Sequence, residues 1–310
     1  MKRVLITGVT GFVGSSLVAY FHDREGLELY GHSRNTELAK EQYRHFHIRI
    51  VPAFTSTDLN ALQINCIIHL AGIAHDLTDK YTEEDYNKVN FGDTARLYET
   101  FLTSSTSQFI YFSSIKAAVN QSESPAHEEL KPHPVTPYGK SKLKVEEYIQ
   151  NQNLPVGKSY HILRPCIIHG PNNKGNLNLL YRFVKTGIPY PLGAFENKRS
   201  FLGSDNLVFV IDQLIQLSIP SGIYHLADNG SLSTNQVVGI IARALNKPAR
   251  MWKIPQQIIQ ILFKLTGRQK MLSKLTDNME VSNQKLLLAI QKPFPVSIEE
   301  GLFKTICSFQ

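Results

Sequence analysis

The chain has 310 residues, 42% of them hydrophobic, and carries 33 basic against 26 acidic side chains. This length allows a substantial buried core and, at typical domain sizes, about two lobes. Three cysteines without a C-x-x-C motif exclude a disulfide framework and predict a reduced, cytoplasmic compartment.

The first predicted element is a buried strand that leads into a glycine-rich turn. Residues 4–6 are apolar as in a parallel strand, and residues 12–20 place apolar side chains with a helical period. Between them, Gly8 allows a tight turn, Gly11 lets the backbone approach a pyrophosphate, and Gly14 lets the helix pack closely on the strand. The spacing G-x-x-G-x-x-G differs from the G-x-G-x-x-G dinucleotide fingerprint, so a glycine-rich turn without a ligand stays an alternative.

The end of the second predicted strand, residues 29–34, bears on the choice of dinucleotide. A carboxylate at this point normally binds the adenosine ribose hydroxyls of NAD and repels the extra phosphate of NADP. Here no acidic residue follows the strand closely, and Ser33 and Arg34 can donate hydrogen bonds to a phosphate. The pattern favours NADP. In the alternative, Arg34 stacks on adenine or points to solvent, and both coenzymes are usable.

Three polar side chains further along the chain have the spacing of a proton-transfer site. Residues 109–112 predict a buried strand, and Ser114 follows its carboxyl end, where catalytic residues of parallel sheets lie. Thr136 and the proline after it predict a helix start, so Tyr138 and Lys142 share a helix face. A lysine ammonium near the phenol should lower the pKa of Tyr138 and fit it for proton exchange with a sugar hydroxyl or ketone. The same spacing also suits an ordinary surface pair.

The alternation of strands and helices predicts an α/β fold, a doubly wound parallel sheet of Rossmann type. Apolar runs at residues 67–70 and 162–163 are further strands. After Pro165, a Gly/Asn-rich loop and a helix over residues 177–185 predict a smaller C-terminal α/β substrate lobe, and residues 224–226 predict a strand that returns to the sheet. The predicted domains are a Rossmann domain of residues 1–165 with a returning segment near 200–245, and a substrate lobe of residues 166–199 and 246–310.

The excess of positive charge is concentrated in residues 243–274, which hold eight basic residues and no acidic one. Inside this segment, residues 254–265 are strongly apolar but too few to span a bilayer. We predict a core-packing helix with solvated lysines, and peripheral membrane contact is the alternative. No nucleic-acid surface is predicted, because neither an aromatic stacking platform nor a nucleic-acid motif accompanies the charges.

No metal site is predicted from the histidines. His45 and His47 could share a strand face, but no carboxylate or cysteine completes a credible ligand shell. His75, after the strand end at residues 71–72, is a weaker candidate for substrate contact.

These motifs resemble the extended short-chain dehydrogenase/reductases that modify nucleotide sugars, over essentially the whole chain. The motifs that carry the resemblance are, in order, TGVTGFVG at 7–14, HLAG at 69–72, VNFGDT at 89–94 with Asn90, the serine pair at 113–114, YGKSK at 138–142, LRP at 163–165 and RSF at 199–201. Seven motifs in one order are too many for a chance match.

The resemblance implies roles for particular side chains. Ser114, Tyr138 and Lys142 would form the catalytic triad, with Lys142 also binding the nicotinamide ribose. The coenzyme-binding residues would be Gly8, Thr10, Gly11, Phe12, Val13, Gly14, Arg34, Leu70, Ala71, Gly72, Asn90, Tyr138, Lys142 and Pro165. The substrate-binding residues would be Ser114 at the reacting oxygen and Asn176 and Arg199 at the diphosphate of a nucleotide sugar. An ordinary solvated arginine is the alternative for Arg199.

Departures from the family subtypes narrow the expected reaction. Sugar dehydratases of this family follow the active-site Ser or Thr with Asp-Glu, whereas Ile115 and Lys116 follow Ser114 here, so dehydration is not expected. The stretches SSIK at 113–116, KGN at 174–176, PYPLG at 189–193 and NKRS at 197–200 resemble bacterial 4-keto reductases that finish UDP-N-acetylquinovosamine for polysaccharide assembly. The same stretches resemble 4-epimerases that act on N-acetylglucosamine attached to a polyprenyl diphosphate. Reduction at carbon 4 with NADPH is the main expectation, and epimerisation with NAD is the alternative.

A non-catalytic NADP sensor on the same fold is the competing class of protein. A sensor has no need of Ser114, Tyr138 and Lys142 together, so the triad favours an enzyme. The expected partner is a nucleotide-sugar substrate, and a homodimer is left open.

Overall fold

The computed structural model describes residues 1–73, 80–171, 173 and 175–310. The described strands are β1 (Lys2–Thr7), β2 (Leu27–His32), β3 (Ile48–Val51), β4 (Cys66–His69), β5 (Gln108–Phe112), β6 (Ser159–Pro165), β7 (Ile167–His169), β8 (Phe201–Gly203) and β9 (Gly222–Leu226). Seven of them form one parallel sheet in the order β3-β2-β1-β4-β5-β6-β9, and β7 pairs with β8 in a second small parallel sheet.

Helices connect the strands and cover both faces of the large sheet. They are α1 (Phe12–Phe21), α2 (Thr36–Gln42), α3 (Ser56–Ala61), α4 (Glu83–Tyr86), α5 (Asp93–Thr103), α6 (Pro137–Gln150), α7 (Asn176–Lys185), α8 (Ser204–Gln216), α9 (Thr234–Ala244), α10 (Gln256–Leu265), α11 (Gln269–Thr276), α12 (Gln284–Ile290) and α13 (Ile298–Cys307). A π-helical stretch, Asn87–Gly92, joins α4 to α5, and a 3₁₀ turn, Ile115–Ala117, follows β5. Within the described ranges, no helix has the length and apolarity needed to cross a membrane.

Strand β1 has apolar side chains on both faces of the sheet, so both faces must be covered. Its side chains alternate, so Val4 and Ile6 join one buried cluster with Ile110, while Leu5 joins the cluster on the opposite face with Phe109. A strand that is apolar on both faces is typical of a doubly wound sheet. The predicted Rossmann fold is therefore confirmed.

The C-terminal half contributes to both parts of the molecule. Helix α8 and strand β9 pack into the core of the large sheet, and so do Leu286 and Ile290 of α12. Helix α9 packs instead with α7, β8 and α13 in a separate cluster. The predicted domain boundaries stay a prediction.

Candidate active site

The glycine-rich turn interlocks with the carboxyl end of β4. Gly8 has a φ of +70°, and a Cβ added to it would lie 2.8 Å from the Ala71 backbone nitrogen. A Cβ on Gly14 would overlap the Val9 carbonyl oxygen. Helix α1 begins directly after Gly11 with no side-chain cap and no acidic residue in its first turn. Its backbone N–H groups and dipole therefore fit the pyrophosphate of a dinucleotide.

The end of β2 lies beside this turn. The Gly8 backbone nitrogen donates to the His32 carbonyl at 2.9 Å, and the Thr10 and Ser33 hydroxyls are 3.4 Å apart. Arg34 follows as an exposed side chain. Ser33 thus lies at the border of the glycine turn with Arg34 next to it in the chain, and the role of both in coenzyme choice stays a prediction.

A buried histidine holds the end of β4 in place. His69 Nδ1 lies 2.6 Å from the Thr7 hydroxyl of β1, and Nε2 lies 2.8 Å from the Thr94 hydroxyl of α5. Burial lowers the pKa of His69 to about 3, so the imidazole is neutral at physiological pH. Since β4 ends at His69, Leu70 lies just beyond the strand, in the segment that the resemblance assigns to the coenzyme.

Asn90 ties the segment after β4 to the helix that carries the triad. Its Oδ1 accepts from the Ile73 backbone nitrogen at 2.7 Å, and its Nδ2 donates to the Ile73 carbonyl and to the Ser141 hydroxyl, each at 3.1 Å. It lies in the π-helical stretch, an irregularity often found at functional sites. Asn90 thus positions the backbone next to Gly72, and its coenzyme contact stays a prediction.

Ser114, Tyr138 and Lys142 come together at the carboxyl end of β5. The Thr136 hydroxyl caps α6 by accepting from the Gly139 backbone nitrogen at 3.0 Å, which sets the start of this helix as predicted. Tyr138 is half-buried and forms a side-chain hydrogen bond with Ser114. The Lys142 Nζ donates to the Phe112 carbonyl at 2.8 Å, at the last residue of β5.

The pKa of Tyr138 departs from the sequence expectation. Burial raises it to about 12, and among the described residues the hydrogen bond with Ser114 acts in the lowering direction. The predicted lowering by Lys142 is therefore wrong for this structure, because the ammonium is engaged by the Phe112 carbonyl and lies 4.8 Å from the centre of the Tyr111 ring. Burial lowers the pKa of Lys142 to about 8, against the raising effect of Glu146. At neutral pH Tyr138 is a protonated phenol, which is the form that donates a proton.

A buried ion pair beneath the triad was not predicted from the sequence. Glu146 of α6 accepts from Arg164 of β6 in a bidentate arrangement, with Nη2 2.6 Å and Nε 3.1 Å from Oε2. The two side chains are 0% and 1% exposed. The Ser113 hydroxyl also donates to Glu146. This network joins α6 to β5 and β6, and so fixes the helix face that carries Tyr138 and Lys142.

Positive charge gathers between the Ser114 turn and Arg199. Burial, together with the positive charges of Arg199 and Lys274, lowers the pKa of Lys116 to about 8, against the raising effect of Asp277. The Arg199 guanidinium donates to the carbonyls of Lys274 and Asp277, each at 3.1 Å, and burial lowers its pKa. Arg199 is therefore a fixed, partly buried cation rather than a solvated one.

The other predicted contacts are less closely linked to this site. Asn176 is exposed at the first turn of α7, and Pro165 is buried at the carboxyl end of β6. His75, predicted as a weaker candidate for substrate contact, lies outside the described residues. All these coenzyme and substrate contacts stay predictions.

The histidines near β3 are arranged differently from the prediction. Strand β3 begins at Ile48, so His45 and His47 lie in the preceding turn and do not share a strand face. In the part of the chain that the structure describes, one trio of potential metal donors occurs, His22, Asp23 and His47, with both imidazole Nδ1 atoms 3.0 Å from Asp23 Oδ1. The sequence analysis missed Asp23 because it lies after α1, far from His47 in the chain.

Comparison with known proteins assigns the chain to a family. Residues 4–227 match the model of the NAD dependent epimerase/dehydratase family, which is more than half of the chain. The chain belongs to this family. It is an NAD(P)-dependent enzyme of the type that includes nucleotide-sugar epimerases and reductases.

Three curated relatives are similar over most of their length. The chain is 31% identical to UDP-glucose 4-epimerase of Vibrio cholerae, over 99% of this chain and 95% of the relative. It is 27% identical to N-acetyl-alpha-D-glucosaminyl-diphospho-ditrans,octacis-undecaprenol 4-epimerase of Escherichia coli O157:H7, over 88% and 83%. It is 23% identical to GDP-6-deoxy-D-mannose reductase of Pseudomonas aeruginosa, over 84% and 88%.

Solved structures confirm the fold. UDP-glucuronic acid 4-epimerase from Bacillus cereus in complex with NAD matches with a TM-score of 0.75 at 18% identity, over 99% of this chain and 98% of that one. RMD from Pseudomonas aeruginosa complexed with NADPH matches with a TM-score of 0.71 at 20% identity, over 100% and 99%.

Proposed function

We propose that this protein reduces the 4-keto group of a nucleotide-linked sugar with NADPH, most specifically a UDP-4-keto-6-deoxy-N-acetylhexosamine used for surface polysaccharide synthesis. The observation that carries the proposal is the hydrogen-bonded pair of Ser114 and Tyr138 at the end of β5. Because the pKa of Tyr138 is raised to about 12, its phenol is a proton donor at neutral pH. Reduction of a ketone requires such a donor at the oxygen that becomes a hydroxyl.

Each residue of the triad has a distinct task in this reaction. The coenzyme, when bound, supplies the hydride. Ser114 orients the sugar carbonyl through its hydroxyl, and Tyr138 donates its proton to the developing alkoxide. Lys142, on the same face of α6, lies near Gly72 and would bind the nicotinamide ribose. Ile115 and Lys116 stand where the dehydratases have their carboxylates, so elimination of water is not part of the proposal.

The charges near Ser114 suit an anionic substrate. Lys116, Arg199 and Lys274 are close enough for Arg199 and Lys274 to lower the pKa of Lys116. A diphosphate between the sugar and its nucleotide would relieve this repulsion, because it supplies negative charge to a partly buried cationic cluster. In this proposal Arg199 binds the diphosphate, and Asn176 reaches it from the start of α7.

The residues after β2 favour NADPH. Ser33 and the exposed Arg34 border the glycine turn, and the first acidic residue after β2 is Glu37, in α2. A guanidinium at this position pairs with the extra phosphate of NADP, which a carboxylate would repel. A reductase consumes its coenzyme in each turnover, so selection of the reduced NADPH pool is consistent with reduction.

The second candidate is a sugar 4-epimerase that uses NAD. Two of the relatives above are named as 4-epimerases, one for UDP-glucose and one for an undecaprenyl-diphosphate-linked N-acetylglucosamine. An epimerase oxidises carbon 4 and then returns the hydride to the opposite face. The same triad would serve, with the substrate a UDP-sugar or a polyprenyl-diphosphate-linked N-acetylhexosamine.

Coenzyme balance separates the two candidates. Purified protein is incubated with UDP-sugars and with their 4-keto forms, with and without NADPH or NADH. We expect one NADPH consumed for each 4-keto sugar reduced. Formation of the C4 epimer without net coenzyme consumption would instead establish the epimerase. Water loss from UDP-N-acetylglucosamine, detected by mass spectrometry and dependent on the protein, would contradict both.

A second experiment tests the coenzyme assignment. Calorimetric titration at fixed ionic strength should give tighter binding of NADPH than of NADH to the wild type, and Arg34→Ala should weaken NADPH about tenfold by removing one charge-assisted contact. Arg44→Ala is the matched control. Arg44 is also exposed, and it forms an ion pair with Glu41 three residues before it. An unchanged NADPH affinity in Arg34→Ala would refute the assignment.

A further inference from the structure

Helix α10 exposes a continuous apolar stripe. Ile258, Ile261, Leu262 and Leu265 recur at helical spacing and therefore share one face of the helix. All four are exposed, from 54% for Leu262 to 80% for Leu265. Four large aliphatic side chains in one row are more than the scattered exposed leucines of an ordinary surface. The stripe needs an explanation beyond core packing.

Core packing is already provided by another face of the same helix. Ile259 is 4% exposed and joins Tyr190 and Leu192 in a buried cluster, with Phe263 packed against it. Residues 259 and 263 are one turn apart and define the inward face. The predicted core-packing helix is therefore present, but it accounts for only part of the apolar surface of α10.

Two further exposed apolar side chains flank the stripe along the chain. Trp252, just before α10, is 56% exposed, and Met271 of α11 is 53% exposed. Tryptophan is typical of proteins that rest in the headgroup region of a bilayer, because its ring is apolar and its N–H is polar. We call Trp252, Ile258, Ile261, Leu262, Leu265 and Met271 the α10–α11 face.

Exposed positive charges accompany this face. From residue 229 to residue 276 the sequence contains no aspartate or glutamate. The exposed basic residues next to the face are Arg250, Lys253, Lys264, Arg268 and Lys274. None of these five forms an ion pair with a described acidic residue. Their charge is thus available to an external anionic surface.

We propose that the α10–α11 face docks on the surface of an anionic phospholipid bilayer, with its apolar side chains in the headgroup region and its basic residues against lipid phosphates. Charge complementarity decides between a bilayer and a second copy of the chain. A symmetric dimer through this face would bring the same basic residues of two copies together, whereas an anionic bilayer neutralises them.

The docking face is directly connected to the proposed substrate site. Arg199 donates to the carbonyl of Lys274 in α11 and to that of Asp277 just after it. Docking would therefore hold the diphosphate end of the site close to the membrane surface. The inference does not depend on reduction or epimerisation, because the face is separate from the triad.

Vesicle co-sedimentation of the full-length protein tests the proposal. We expect the wild type to bind phosphatidylglycerol-containing vesicles and to bind pure phosphatidylcholine vesicles much less, with binding weakened by added salt. The double variant Ile261→Ser/Leu265→Ser should lower the partition coefficient about tenfold through lost apolar contact. Lys264→Glu should lower it severalfold through lost charge attraction.

Matched controls lie on other surfaces. Leu288→Ser removes an exposed leucine of α12, and Lys40→Glu reverses an exposed lysine of α2; both should bind vesicles as the wild type does. All variants should retain turnover of a soluble nucleotide sugar, so failure of docking and failure of the proposed reaction are distinguishable. Equal loss of binding in Leu288→Ser, or no binding by the wild type, would overturn the proposal. So would a wild-type dimer in analytical ultracentrifugation that Ile261→Ser/Leu265→Ser converts to a monomer.

Discussion

Helices α6 and α10 depart from the ordinary pattern of burial in opposite directions. Helix α6 buries a lysine and a glutamate, Lys142 at 6% and Glu146 at 0% exposure, while α10 exposes Ile261 at 59% and Leu265 at 80%. The buried charges are compensated inside the protein by the Phe112 carbonyl and by Arg164. The exposed apolar side chains have no such compensation in the described structure. The comparison teaches that the fold buries charge where it supplies a compensating partner, whereas the exposed stripe of α10 is left to whatever lies outside the described structure.

The largest expected effect is on the chemistry of α6. Tyr138→Phe should lower kcat a hundredfold to about ten-thousandfold, about 3 to 5 kcal/mol in the barrier, because the proton donor is lost. Coenzyme affinity, measured by calorimetry, should change little. Tyr148→Phe is the matched control, since this tyrosine of the same helix bonds Glu99 at the surface. Near-full turnover in Tyr138→Phe would remove Tyr138 from the mechanism.

The next largest effect is expected when the buried ion pair of Glu146 and Arg164 is broken. Arg164→Met should lower the free energy of unfolding by about 3 to 5 kcal/mol, because the Glu146 carboxylate stays buried without its partner. The double variant Glu146→Leu/Arg164→Met should recover most of this loss in urea unfolding. Arg96→Met breaks an exposed pair with Asp93 and should cost at most about 1 kcal/mol. Equal costs for Arg164→Met and Arg96→Met would contradict the role assigned to burial.

The pH dependence of stability should also distinguish the two helices. Burial lowers the pKa of Lys142 from 10.5 to about 8, so below about pH 8 the folded protein carries the full cost of a buried ammonium. As the pH rises from about 8 to 10.5 the side chain becomes neutral first in the folded state, and this cost disappears. The difference in unfolding free energy, wild type minus Lys142→Met, should therefore increase by about 3 kcal/mol between about pH 8 and pH 10.5.

Lys264→Met is the control for that measurement. Lys264 is exposed on α10 and loses little hydration on folding, so its variant should keep a constant difference from the wild type across the same window. A constant difference for Lys142→Met as well would mean that the Lys142 ammonium is solvated.

The last comparison separates the two faces of α10, and its exposed face carries the smallest expected effect. Ile259→Ala should lower the free energy of unfolding by about 2 to 5 kcal/mol, because it leaves a cavity in the buried cluster. Ile261→Ala, two residues further, should change it by less than about 0.5 kcal/mol, because that side chain is already in solvent. Thermal and urea unfolding of both variants measure the difference. A large loss in Ile261→Ala would indicate that the exposed stripe is covered within the folded protein.

Local patterns were sufficient to predict most of the sheet and the helix that carries Tyr138 and Lys142. The glycine turn, the Thr136 cap and the spacing of Tyr138 and Lys142 each depend on residues close in sequence, and the structure has them as predicted. The resemblance extended this to the family, which the comparisons confirm. The short edge strand β3 and the small β7–β8 sheet were not predicted, because strands of three or four residues carry too little periodicity.

Long-range contacts decided what the sequence alone left open or predicted wrongly. Glu146 and Arg164 are 18 residues apart, and only the packing of α6 against β6 makes them a pair. The pKa of Tyr138 rises because tertiary packing buries it, although its spacing from Lys142 suggests the opposite.

By itself, the sequence determined the fold class, the glycine turn and the placement of Tyr138 and Lys142 on one helix, because periodicity, capping and motif spacing act over a few residues. Only the tertiary structure decided which apolar face of α10 is buried. Ile259 and Ile261 are equally hydrophobic. Ile259 becomes core because the cluster that includes Tyr190 and Leu192 packs on its side of the helix, while Ile261 stays in solvent. Burial, and with it pKa and accessible surface, depends on neighbours that the chain brings together only on folding.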